Sequence, residues 1–504
     1  MQTTISPILF LSCVAGYFAL LMAIAWRTGR KSSNQSFFLA GRKSPWIVVA
    51  IGMIGATLSG VTFISIPGVV GAGGANRDFS YMQLVFGYLL GYLFIAHVLL
   101  PLYYRLRLTS IYTYLGGRLG PVSYRTGAAY FLLSRSIGAA FRLFLVAMVM
   151  HEFLLKAMNV PFWLTASLTI VLIWIYTYKG GLNTIIWTDT VQTVSMLGAA
   201  IWTIFFVLSH LGGDLSSIWA RVSEAGYDRV FFFEGGWEDP NNFFKQFFSG
   251  ALITIVMTGL DQDMMQKNLS CKSLGDAQKN MYTFSAILVV ANLVFLILGA
   301  LLYLYVAEEG LALPERSDNL FPMLALSSFP AALGIVFLIG LLAAAYSSAD
   351  SALTALTTSF CIDFLGFEEE KQDTPRQRRT RFGVHLSFSG VILLLIMVFW
   401  IISDDAVINL LFRAAGYTYG PLLGLFSFGI LTSRTVNDRW VWVVCLLSPL
   451  LSFFMDQYSD RLFGGFQFGF LTLALNGLLT FLGLWLISKP EGAGTGREPQ
   501  KKPV

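Results

Sequence analysis

Apolar residues fill most of the chain in long blocks separated by short polar stretches. A block of roughly 20 apolar residues is long enough to cross a bilayer core about 30 Å thick as a helix. Hydropathy predicts about thirteen such spans, near 5–26, 45–73, 79–104, 124–155, 159–178, 184–210, 243–266, 281–307, 329–363, 380–403, 406–432, 438–456 and 464–487. The fold class is therefore an all-α polytopic membrane protein. Residues 1–488 read as one transmembrane domain, with a leading helix at 5–26, a core over about 45–432 and peripheral helices over 438–487. The Gly- and Pro-rich tail 489–504 reads as a disordered segment.

Three spans break the apolar pattern. In the second, WIVVAIGMIGATLSGVTFISIPGVVGAGG, glycines at 52, 55, 60 and 68, hydroxyls at Thr57, Ser59, Thr62 and Ser65, and Pro67 interrupt the run. Glycine is conformationally loose and proline lacks a backbone donor, so this helix is expected to unwind near mid-membrane. Unwound backbone at that depth is tolerated where it is buried or lines a cavity, and its free carbonyls suit a cation. The plainer alternative is a kinked helix with close glycine packing. The seventh span passes Gly259-Leu260 into Asp261 and Asp263, read either as a cytoplasmic helix end or as a second discontinuous helix. Interrupted spans five apart point to an inverted five-plus-five repeat.

The ninth span holds LLAAAYSSADSALTAL. Ala344, Ser347, Ser348, Ser351, Ala355 and Thr358 fall on one helical stripe, with Asp350 beside it. Small hydroxyl residues also serve as packing glue between helices. An intramembrane aspartate is expensive and shifts the reading toward function. Oxygen ligands without thiolate or imidazole suit an alkali cation. Asp189, in GGLNTIIWTDTVQT, is open between snorkelling beside Lys179 and charging a second cation or proton site. Arg142, Arg135 and Arg413 also fall within spans; Arg142 pairs either with an acid or with a substrate carboxylate.

Charge sets the expected orientation. Basic residues gather in alternate connections, beginning with Arg27, Arg30, Lys31, Arg42 and Lys43, then Arg105, Arg107, Arg118 and Arg125. Lys179 follows, then Lys267, Lys272 and Lys279, then Lys371, Arg376, Arg378, Arg379 and Arg381, then Arg434 and Arg439, with Lys501 and Lys502 in the tail. Intervening connections are acidic or nearly neutral, as at Glu308, Glu309, Glu315, Asp404 and Asp405. The positive-inside rule then predicts the N-terminus outside and the C-terminus in the cytoplasm. The start, MQTTISPILF, has no basic n-region, so the first apolar segment is expected to stay as a helix. The longest external connection, 211–242, is expected to form short helices over the outer mouth.

Composition mostly excludes. Only 12% of residues are charged against 55% hydrophobic, far from a soluble domain. The net charge of +5 follows from basic loops and does not suggest nucleic acid. The four cysteines and four histidines are scattered, with no metal or disulfide spacing. No phosphate-cradling GxxxxGK[ST] occurs, and no nucleophile–base pair suggests an enzyme. The polar groups gather at one depth, which disfavours a channel.

GGLNTIIWTDTVQ and AAAYSSADSALTALTTSFCIDF resemble the fifth and eighth core helices of the sodium:solute symporter family, and the likeness covers nearly the whole chain. The resemblance implies a LeuT-like fold of two inverted five-helix repeats, with the first span an extra leading helix. It implies a sodium site built by Gly55, Leu58, Ala344, Ser347 and Ser348. A second sodium or proton site would use Asp189, Asp350 and Ser351; a carboxylate at 350 departs from the hydroxyl that relatives commonly place there. Solute contacts carry over onto Ser59, Thr62, Gln83, Arg142, Asp261 and Gln262. The expected function is sodium-coupled symport of a small polar organic solute, an organic anion or a sugar, by alternating access, with Na+ as coupling ion. The bilayer and the solute are the expected partners, with the protein functional as a monomer in a bacterial inner membrane. The rivals are proton coupling through Asp189 or Asp350, and a solute sensor without turnover.

Overall fold

A computed structural model describes residues 7–28, 38–367, 374–402, 407–464, 466 and 468–490. Arg30, Lys31, Lys371, Asp404, Asp405, Lys501 and Lys502 lie outside the described residues, as does the tail from 491. Sixteen principal helices follow in order. They are α1 (Pro7–Thr28), α2 (Trp46–Thr57), α3 (Gly60–Val69), α4 (Tyr81–Phe94), α5 (Pro121–Met150) and α6 (Phe162–Leu211). Next come α7 (Leu215–Glu224), α8 (Phe243–Thr254), α9 (Gln262–Leu269), α10 (Leu274–Glu308), α11 (Ala331–Ser359) and α12 (Pro375–Ile402). The last are α13 (Val407–Thr418), α14 (Gly420–Leu431), α15 (Val441–Gln457) and α16 (Thr472–Leu486). A two-residue antiparallel ladder, Thr435–Val436 against Ser488–Lys489, is a small addition to the all-α expectation.

Among the described residues, eight helices are long and apolar enough to cross a membrane, or up to eleven if each bent pair is one span. The expected thirteen is reached only when the shorter apolar helices Ser12–Arg27 and Phe162–Ile175 are added. The fifth and sixth expected spans meet in one run of helical backbone, α6, where a loop at Lys179 was expected. Gly180 and Gly181 weaken helix there without forbidding it, and no proline intervenes.

Both anticipated breaks occur. The pair α2/α3 bends by 56°, and Phe243–Gly259/α9 bends by 64°. A third, α13/α14, bends by 45° and was not anticipated. In the first break, Leu58 has φ −78° and ψ 85° and Ser59 is extended at φ −88° and ψ −177°. The chain opens at Leu58-Ser59 and not at Pro67, which sits inside α3. Gly299 of α10 lies against Pro67, where an added Cβ would come within 2.6 Å of the Pro67 carbonyl oxygen. Tyr303 of the same helix donates its hydroxyl to the Gly68 carbonyl at 2.6 Å. A turn with wider spacing at Ile255–Gly259 precedes the second break; such turns leave backbone groups free and recur at functional sites.

The core sits where the broken helices meet α6 and α11. Helix α11 packs along α6 and α5, and α2 packs along α6. Close approach of α2 to α6 requires glycine at 55, where a Cβ would fall 2.4 Å from Thr193 Oγ1 and 3.2 Å from the Asp189 carbonyl oxygen. The leading helix α1 docks on α11, with Phe18 edge-on to Tyr346 at 5.0 Å. The 212–242 connection forms α7, capped by the Asp214 side chain, and is then pinned to α4. Gln83 does the pinning: its amide donates to the Asn241 carbonyl at 2.8 Å and accepts from the Phe232 N–H at 3.1 Å.

Candidate cation and solute site

The last carbonyls of a helix have no intrahelical partner, and the two anticipated breaks treat theirs differently. At the second break, Tyr103 and Tyr112 donate hydroxyls to the Gly259 and Leu260 carbonyls, each at 2.9 Å. At the first, the Leu58 N–H returns to the Ile54 carbonyl and the Ser59 N–H to the Thr57 carbonyl. Facing them on α11, Ser348 Oγ reaches the Ala56 carbonyl only at 3.5 Å, and the Ala344 carbonyl at 3.3 Å. Ser347 Oγ lies 3.0 Å from where a Gly55 Cβ would stand. Ser347 and Ser348 of α11, with the Ala344 carbonyl one turn earlier, thus face the Gly55–Ala56 end of α2, just before Leu58. The donors there are carbonyl and hydroxyl oxygens, the hard set that fits a sodium ion.

Asp189 adjoins this set from α6. It is completely buried, and Ser347 Oγ donates to its Oδ1 at 2.7 Å. Its partner is Lys267 of α9, whose Nζ lies 2.7 Å from Oδ2 with both side chains at most 1% exposed. Lys267 counts among the loop charges in the sequence, and the structure overturns that. Hydropathy ends the seventh apolar block at 266, whereas the short helix after the break carries Lys267 into the interior. Asp189 accordingly does not snorkel toward Lys179. Asp350 is buried as well, one of its oxygens accepting from the Ser351 N–H at 2.6 Å, and the Ser351 hydroxyl has no protein partner.

A second cluster joins the second and third breaks. Asp261 caps α9, its Oδ1 accepting from the Asp263 and Met264 N–H groups, while Tyr419 donates to its Oδ2 at 2.7 Å. Arg135 of α5 pairs with Asp263 and has its Nη1 4.0 Å from Asp261. Asp261 and Asp263 are buried and do not mark a solvated helix end.

Between the clusters lies a partly open cavity. Thr57, Ser59 and Thr62 from the first break line it, with Tyr81, Tyr88, Tyr92, Arg135 and Arg142. A smaller space continues from Arg135 and Arg142 toward Tyr419. The two arginines differ. Arg135 pairs with Asp263 through its Nη2 and leaves only Nε without a partner, whereas Arg142, 6% exposed, has no carboxylate beside it among the described residues and both Nε and Nη1 lack a hydrogen-bond partner. Burying cationic N–H groups without partners is costly, so such groups call for a partner that the protein itself does not supply, a water or a ligand.

Of the expected solute residues, Ser59, Thr62 and Arg142 line the cavity. Asp261 stands behind Arg135 and Tyr419. Gln83 is committed to the 212–242 connection, and Gln262 to the chain at 109–111, donating to the Thr109 carbonyl at 2.7 Å and accepting from the Ile111 N–H at 3.0 Å. Neither glutamine lines the cavity; Gln83 lies off the face of α4 that carries Tyr81, Tyr88 and Tyr92, and both amides are taken up by backbone groups. Lys267, Tyr419 and the tyrosines of α4 escaped the sequence reading. The sequence carries no signal for the Lys267 pairing: its spacing suggests Asp263 four residues earlier, whereas Asp263 meets Arg135 and Lys267 meets Asp189.

The sodium:solute symporter family model matches residues 37–440. The chain belongs to this family. Among its relatives, the sodium/sialic acid symporter SiaT of Proteus mirabilis is 23% identical over 463 residues, covering 89% of each chain. The sodium-dependent multivitamin transporter of Oryctolagus cuniculus is 27% identical over 421 residues, covering 81% of this chain and 63% of its own. A solved structure of a sodium-coupled sialic acid symporter, in a substrate-bound outward-open state, superposes with a TM-score of 0.79 at 20% identity. It covers 95% of this chain and 97% of its own. A nucleobase-cation-symport-1 family transporter in a closed conformation matches with a TM-score of 0.53 at 14% identity. These likenesses, with the paired breaks, establish the LeuT-like fold expected for a symporter of this family.

Proposed function

We propose that this symporter couples inward sodium movement to uptake of a small organic anion. The observation that carries the anion is Arg142, a buried guanidinium whose Nε and Nη1 have no protein partner, in the wall of a cavity shared with the hydroxyl-bearing residues Thr57, Ser59 and Thr62. A guanidinium presents a planar fork that matches a carboxylate at two points. The hydroxyls beside it suit a polyhydroxylated body, so an acidic sugar or a hydroxylated carboxylate fits best.

Sodium would be held by the carbonyls of Gly55, Leu58 and Ala344 and the hydroxyls of Ser347 and Ser348. Bound there, it ties the first break to α11 and stiffens the segment bearing Ser59 and Thr62, so cation and solute favour one conformation. Each sodium charge entering with the membrane potential supplies about 2.3 kcal/mol per 100 mV. The charge pattern supports an N-terminus outside, a cytoplasmic C-terminus and a cell-membrane location.

The test is uptake into proteoliposomes under an inward sodium gradient, with labelled acidic sugars and hydroxy acids as a panel. Accumulation that requires sodium and is competed by carboxylates supports the reading. Accumulation driven equally well by a proton gradient without sodium would overturn it.

A further inference from the structure

The Asp189 carboxylate lies where the sequence resemblance placed a second sodium, yet it already has a cation. Lys267 Nζ is 2.7 Å from Oδ2, and Ser347 donates to Oδ1 at 2.7 Å. Resting on the sodium-coupled reading above, we propose that the Lys267 ammonium is the resident cation of the Asp189 site. The chain then binds one sodium ion, at the neighbouring carbonyl and hydroxyl set.

Three observations carry this. First, the amine is delivered by a helix that is itself enclosed, since every residue of α9 from Gln262 to Leu269 is buried. An ammonium held in place by its own helix reaches the carboxylate without the translational cost that a dissolved ion bears. Second, both carboxylate oxygens are in use, so an arriving ion must displace the ammonium. Displacement would leave a buried lysine without a counter-charge, which is strongly unfavourable. Third, Ser347 is shared. It donates to Asp189 Oδ1 and lies beside the Gly55 position, so the carboxylate whose Oδ2 holds the ammonium adjoins the proposed sodium set through one hydroxyl. A further cation at Asp189 would have like charges on both sides, which disfavours it while the lysine is there.

Lys267 is thus a specificity-determining residue for cation number. It also joins α9, beyond the second break, to α6, and so places a fixed charge where a mobile one would otherwise report on the extracellular sodium concentration.

Equilibrium binding of radiolabelled sodium to the purified full chain tests this with no knowledge of the solute. Wild type should bind one ion per chain. Lys267→Met should bind two, and the added ion should disappear in Lys267→Met/Asp189→Asn, which buries no unpaired charge and guards against a single variant that fails to fold. Two ions on wild type would overturn the proposal, as would a folded Lys267→Met that binds only one. If wild type binds none while Lys267→Met gains an Asp189-dependent ion, the resident-cation inference stands and the sodium-coupled reading falls. No binding to any of the three would sink both.

Discussion

Tyr419 donates its hydroxyl to Asp261 Oδ2 at 2.7 Å, linking two helix breaks that lie 158 residues apart in sequence. Asp261 uses its other oxygen to cap α9, and Tyr419 stands at the bend between α13 and α14. One carboxylate therefore sets the geometry of two discontinuous helices at the cavity wall. Tyr419→Phe should cost about 1–3 kcal/mol, the penalty for stripping a partner from a buried acceptor. Thermal unfolding in detergent would show it, and an unchanged midpoint would refute the link.

Arg142 and Arg135 should respond in opposite ways to loss of charge. Arg142→Met removes N–H groups that have no protein partner, so stability should hold or rise while solute uptake is lost. Arg142→Lys, keeping charge without the fork, should raise the uptake KM by roughly 10- to 100-fold, about 1.4 to 2.8 kcal/mol. Arg135→Met strands Asp263 and should destabilise by about 3–5 kcal/mol. Equal destabilisation by both methionine variants would refute the assignment of Arg142 to the solute.

Ser348→Ala removes a hydroxyl from the cation set and leaves the packing of α11 in place. Wild-type stability should rise with sodium but not with potassium or choline at equal ionic strength, following RT ln(1 + [L]/Kd). The variant should lose most of that rise. A sodium response that survives intact would move the ion elsewhere.

Gly55→Ala places a methyl group 2.4 Å from Thr193 Oγ1 and 3.0 Å from Ser347 Oγ. The helices must separate or the hydroxyls turn away, at about 1–3 kcal/mol. Adding Thr193→Ala should restore folding, measured by thermal unfolding. The sodium response should stay weak, because the Ser347 contact remains.

The 212–242 connection is held by the Gln83 amide through the Phe232 N–H and the Asn241 carbonyl. Gln83→Leu leaves both backbone groups without that partner. Limited proteolysis should then cut the connection faster than in wild type, with the helical core still intact. Unchanged proteolysis, or a direct loss of solute affinity with the connection still protected, would return Gln83 to the solute site.

Hydropathy, charge and backbone chemistry were enough to establish a polytopic helical protein and to mark its second and seventh spans as the places where a helix could break. These features are local: apolar length decides what can cross a bilayer, and clustered Gly, Ser and Thr decide where a helix can open. The stripe of Ala344, Ser347 and Ser348 was readable for the same reason, since residues three and four apart share a helix face. Which group stands opposite a side chain is not local. Lys267 reads as a loop charge until α9 is seen to turn back toward α6. Gln83 and Gln262 read as solute contacts until the backbone they hold is seen. Arg135 and Arg142 both fall in one apolar run, and only the tertiary structure decides that one meets Asp263 of α9 while the other stands in the cavity wall without a carboxylate partner.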